Sequence, residues 1–152
     1  MKQTHGNHIL QFIIAALLFA ALTGCTGTQV APIEGAEREQ ALAQVEPIAD
    51  NLFQGMRERD YTAFARDFDP AMQKAMDEKR FLQMLETIDP VIGQYQSRQV
   101  AKVEKAGQYV AVTYTVRYEL EDAVSWRIVL APGDSPQVSG LWYDSPKLRG
   151  TK

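Results

Sequence analysis

Between residues 108 and 130 apolar and polar side chains alternate with a period of two, and that pattern leaves few folds open. Val110, Val112, Tyr114, Val116, Tyr118 and Leu120 fall on one side, while Thr113, Thr115, Arg117 and Glu119 fall on the other. Successive side chains of a strand point to opposite faces, so this spacing predicts a sheet with one face buried and one wet. After Glu121-Asp122-Ala123 the alternation resumes at Val124, Trp126, Ile128 and Leu130. The run Pro132-Gly133-Asp134-Ser135-Pro136 interrupts it, and a last strand follows in which Val138, Gly140 and Trp142 oppose Leu141 and Tyr143. Residues 94–104 are mixed in polarity and read as an edge or strongly curved strand, turned back by Ala106-Gly107.

The preceding residues have a helical period instead. Ala41, Leu42, Val45, Ile48, Leu52, Phe53 and Met56 recur at the spacing of one buried helix face. Pro47 lies inside that run, so the expectation is a kinked or two-part helix. Asp60 is placed to cap a second helix over 61–68, and Asp69-Pro70 repeats the start signal for a third. Asp77 to Arg80 reads as a solvated break. Phe81, Leu82, Leu85 and Ile88 then return to helical spacing, and Asp89-Pro90 ends the helical half. Helices first and strands second predict the α+β class, with N-terminal helices packed on a curved antiparallel sheet of about four strands.

Upstream of the domain, an apolar stretch over 9–22 follows a short start carrying Lys2 and runs into Leu22-Thr23-Gly24-Cys25. The stretch is interrupted by Gln11 and is short of the about 20 apolar residues that a membrane-spanning helix needs. These residues resemble the lipobox of a bacterial lipoprotein signal peptide. The resemblance implies cleavage before Cys25, a diacylglyceryl thioether on its sulfur and usually an acylated amine, with palmitate-like chains holding the protein to a membrane. Two or more chains anchor stably where one does not. Thr26, not aspartate, follows the cysteine, which by the same resemblance favours the outer membrane of a Gram-negative host, the domain facing the periplasm. The expected organisation is a signal peptide at 1–24, a lipidated tether at 25–36, an α+β domain at 37–146 and a tail at 147–152.

Processing at that point sharpens what composition excludes. Both histidines, His5 and His8, leave with the signal, and Cys25 is the single cysteine. Ser-His and Cys-His pairs, imidazole bases, His or Cys zinc sites and an internal disulfide are then all ruled out. No closely spaced acidic loop with a turn glycine suggests calcium, so no metal and no cofactor is expected. The mature balance of 15 basic against 19 acidic side chains, with no basic stripe, argues against nucleic acid as a partner.

The helical segment, the Asp60-Tyr61 turn, Phe68-Asp69-Pro70-Ala71-Met72 and the sheet ending in Val138-Ser139-Gly140-Leu141-Trp142 resemble small bacterial members of the nuclear transport factor 2-like, cystatin-like superfamily. Arg59 stands where such proteins often have glycine before Asp60. The resemblance covers residues 44–146 and implies a cone, its helices closing over a curved sheet with a pocket at the wide end. Some members are enzymes, such as ketosteroid isomerase or scytalone dehydratase; many bind ligands or partners, or only dimerise.

Asp60, Asp67 and Asp69 with Tyr61, Tyr95 and Tyr114 are the groups an isomerase-like site would recruit. Asp60 and Asp69 are better explained as helix caps, and no catalytic residue is assigned. Met56, Met72, Met76 and Met84 lie at core spacing and are expected to fill the cone. Aromatic residues with a polar tip, and arginine, favour pockets and interfaces, which singles out Tyr95, Tyr109, Arg117, Trp142 and Tyr143. The expectation is a non-catalytic, lipid-anchored domain that binds an envelope protein or forms a homodimer. The alternatives are a small apolar or amphipathic ligand in the cone and, behind it, a histidine-free carboxylate isomerase or hydrolase-like enzyme.

Overall fold

The computed structural model describes residues 30–150. The signal peptide, Cys25 and most of the expected tether lie outside the described residues. The chain forms β1 (Val30–Pro32), α1 (Gly35–Glu58), α2 (Tyr61–Phe64), α3 (Pro70–Ala75) and α4 (Glu78–Ile92). It continues through β2 (Tyr95–Ala106), β3 (Tyr109–Tyr118), β4 (Val124–Leu130) and β5 (Val138–Asp144) to a short α5 (Pro146–Gly150). The five strands make one antiparallel sheet in the order β1-β2-β3-β4-β5.

The α+β class is as expected, but the sheet has five strands and not four. The additional strand is β1, whose Val30, Ala31 and Pro32 pair with Ala106, Lys105 and Glu104. It lies in the stretch read as tether. Three residues with a proline carry too little pattern to announce a strand, and only the partner edge of β2 supplies the hydrogen bonds.

Local signals account well for the helix starts. The Asp60 carboxylate accepts from the Thr62 and Ala63 amides at 2.8 and 3.2 Å, and Asp69 accepts from Met72 N at 2.7 Å. Asp77, read as part of a solvated break, does the same for α4 through Arg80 N at 2.9 Å. Each cap satisfies an amide that the helix leaves without a partner. The helices differ in extent from the sequence reading. α1 is one helix with Pro47 inside it, not two, while α2 stops at Phe64 and α4 passes Pro90 before Gly93, at φ 79°, ends it. Arg59 closes α1 in the left-handed region at φ 56°, the conformation glycine adopts without strain. Its Nη1 bonds Asp89 Oδ2 of α4 at 2.6 Å. At Gly55 an added Cβ would sit 2.3 Å from Phe64 N, so α1 and α2 meet backbone against backbone.

The core lies between the helices and one face of the sheet. Phe53 of α1 is its hub, with ring centroids 4.9 Å from Tyr95, 5.7 Å from Trp126 and 6.1 Å from Tyr114. Phe64, Phe68 and Phe81 form a second aromatic group, and Met56, Met72 and Met84 fill the spaces between. Val112, Tyr114, Val116 and Tyr118 face inward as their alternation predicts. Leu120 does not: it is past the end of β3 and 55% exposed. The segment beyond β5 is a capped helix in part. Ser145 donates to the Glu121 carboxylate, which also accepts from Lys147 N at 3.2 Å.

Candidate interaction surface

The face of the sheet away from the helices is assembled by register. Lys102, Thr113, Arg127 and Trp142 are consecutive cross-strand neighbours, and Glu104, Ala111, Val129 and Gly140 form the adjoining row. Two irregularities put them there. In β2 the register shifts between Val100 and Lys102, so that Val100 stays with Tyr114 on the core side while Lys102 joins the outer one. In β5 a shift beside Ser139 pairs Leu130 with Val138 but Val129 with Gly140. A bulge reverses the facing of everything after it. Val138 therefore lies in the core with Leu141 and Tyr143 on its side, while Gly140 and Trp142 turn outward, in place of the unbroken alternation expected of this strand.

Charge and apolar surface sit side by side on this face. The Glu104 side chain is 8% exposed, held by Lys102 Nζ at 2.6 Å and Arg127 Nη1 at 2.5 Å. Arg127 Nη1 also reaches Thr113 Oγ1 at 3.2 Å. The bonds from Lys102 and then Arg127 hold the Glu104 carboxyl below the ordinary glutamate range, against the effect of burial. Beside this clamp the Trp142 indole lies over Gly140, where an added Cβ would come within 2.3 Å of the ring. Trp142 is 57% exposed, Val30 52% and Tyr109 39%.

The five residues singled out from sequence do not form one site. Tyr109, Arg117 and Trp142 lie on the outer side, Arg117 paired with Asp122 at 2.9 Å near the far end. Tyr95 and Tyr143 face the helices: Tyr95 stacks on Phe53, and Tyr143 stacks on Trp126 at 5.0 Å. Tyr143 is nonetheless 37% exposed, and Tyr95 lines the groove beside Arg98.

A second polar cluster, which sequence reasoning missed, occupies the helix-side groove along β2. Arg98 bonds Glu46 Oε2 and Asp50 Oδ1, each at 2.7 Å, and its guanidinium lies 5.5 Å from the ring centres of Phe53 and Tyr114. Tyr114 donates to Glu46 Oε1 at 2.9 Å. Burial opposes the Arg98 charge, but the bonds to Asp50 and Glu46 outweigh it and hold its pKa above normal. Burial, then the Glu46 charge, pushes the Tyr114 hydroxyl up as well. The partners are 48 to 68 residues apart, and a helix face with Glu46 and Asp50 four apart was the one available signal.

A pocket of about 10 Å³, space for about one water, lies where Met56, Leu85 and Tyr118 meet Arg57, Arg59, Asp89 and Gln94. The grooves beside Arg98 and beside Tyr109 are larger, about 530 and 600 Å³, but open to solvent. Asp60 and Asp69 are engaged as caps, and Asp67 accepts from Asn51 Nδ2 at 2.8 Å. Among the described residues no three Asp, Glu, His or Cys side chains converge to hold a metal ion, and no helix is long and apolar enough to cross a membrane.

Fold and surface together define an α+β domain with helices on one side of an open five-stranded antiparallel sheet. Residues 49–131, more than half of the chain, match a family described as a protein of unknown function (DUF3887), and the chain belongs to that family. The matched span runs from the C-terminal part of α1 through β4 and leaves out β1, β5 and α5. No curated protein and no solved structure matches the chain.

Proposed function

We propose that this is a lipid-anchored cell-envelope domain, held through Cys25 and working by recognition of a protein partner or a second copy of itself on the open face of the sheet. The observation that carries the reading is Trp142, a tryptophan 57% exposed, settled on Gly140 beside the Lys102–Glu104–Arg127 clamp. Tryptophan, tyrosine and arginine are the side chains that most often dominate binding energy, and here they stand on a rigid sheet. Helices preceding a meander support the nuclear transport factor 2-like resemblance as part of this proposal. A periplasmic location at the outer membrane follows from the Leu22-Thr23-Gly24-Cys25 pattern with Thr26 behind it. The ligand alternative has the helix-side groove beside Arg98 to rest on, about 530 Å³ and within the usual about 300–1,000 Å³ of ligand cavities, but open to solvent and not enclosed. The capping roles of Asp60 and Asp69 give the enzyme alternative no support.

A photocrosslinking residue at exposed outer-face Thr115, compared with one at exposed Gln54 on α1, tests the surface in native membranes. Adducts should form at 115 and be lost on Trp142→Ala or Arg127→Ala. Equal yield from position 54 would overturn the assignment. Intact mass should show cleavage before Cys25 and added lipid.

A further inference from the structure

The position of β1 limits how the domain can sit on the membrane, given the lipid on Cys25 proposed above. Val30 is already a sheet residue, paired with Ala106 at the β2–β3 turn. Five chain steps from Cys25 to Val30 span at most about 17 Å when fully extended. β3 alone, at about 3.3 Å per residue, carries the chain about 30 Å from that turn to the opposite end of the sheet. An orientation with the far end at the lipid and the β2–β3 turn raised above it therefore exceeds the reach of the tether. Upright and flat orientations remain within reach.

The chemistry of the two ends decides between them. Near Val30 are Gly107, Gln108, exposed Tyr109 and the 131–137 loop, whose single charge is Asp134. One exposed ion pair, Lys105–Glu37, also lies there, against two such pairs at the far end. Tyrosine suits a headgroup layer, with an apolar ring and a polar tip. The far end carries Arg117, Asp122, Asp144 and Arg149, with side chains 54–81% exposed, and burying these charges against lipid costs free energy. We infer that the domain stands upright, with the Gly107–Gln108 turn and the 131–137 loop against the lipid headgroups and the Trp142 face rising away from the surface.

The test uses the full lipidated chain in phospholipid vesicles. Cys25 is the only cysteine and its sulfur is consumed by the thioether, so an introduced cysteine labels alone. Fluorophores at Gln108→Cys, Asp134→Cys and Asp122→Cys are compared for quenching by headgroup nitroxide lipids. Quenching several-fold stronger at 108 and 134 than at 122 is expected. Equal quenching at all three, the flat orientation, or stronger quenching at 122 overturns the inference. Intact mass of the same samples separates the two claims: lipid present with equal quenching removes only the orientation, whereas a chain without lipid removes the anchor and the orientation with it.

Discussion

The two faces of this sheet are built from the same strands, yet different rules made them. On the helix side Trp126, Tyr114 and Tyr118 are closed off from water, the first two met by Phe53 and the third by Tyr95. On the open side Trp142 has only Gly140 beneath it, and Glu104 is neutralised by two cations. One tryptophan contributes to folding through burial and the other leaves 57% of its surface exposed. The lesson is that residue type does not separate buried from exposed aromatic side chains here; the facing set by register does.

The largest test of the contrast exchanges each tryptophan for alanine. Trp126→Ala should cost about 3–5 kcal/mol in chemical denaturation, whereas Trp142→Ala should cost under about 1 kcal/mol and instead abolish crosslinking from a probe at outer-face Thr115. Similar losses at both positions would show that the open face is part of the folding core. A smaller effect concerns the polar edge of the helix side. Arg98→Ala leaves Glu46 and Asp50 without their cation and bares Phe53 and Tyr114, with an expected loss of about 1–3 kcal/mol, discounted because both carboxylates reach solvent. Arg98→Met, which keeps the stem, should recover part of it if packing contributes.

The smallest effect is the acid response of the open face. The Glu104 pKa is depressed in the folded state, so its stabilisation is complete above the unfolded glutamate value of about 4.3 and is lost as pH falls through the lower folded one. Wild type should therefore exceed Glu104→Gln in stability at pH 7, and the gap should close below about pH 4. A gap that stays constant with pH would mean the clamp contributes by shape and not by charge.

Much of the fold was legible because its signals are local. The alternation of 110–118 and 124–130 places side chains within one strand, and the Asp60 and Asp69 caps act over two or three residues. Arg59 was legible as a departure from glycine, and the left-handed φ of 56° shows why glycine suits that position. The candidate surface was only half legible. Tyr109, Arg117 and Trp142 reached the outer side, but Tyr95 and Tyr143 turned to the core, and neither Glu104 nor Arg127 stood out.

Sequence alone determined the class of the fold, the order of its elements, most helix starts and the inward row of β3, because each depends on periodicity or on hydrogen bonds to near neighbours. Tertiary structure alone decided that Val30–Pro32 joins the sheet, that a bulge at Ser139 turns Trp142 outward, and that Arg98 meets Glu46 and Asp50. Those outcomes depend on strand edges, register and side chains brought together from 48 or more residues away, and no local pattern carries that information.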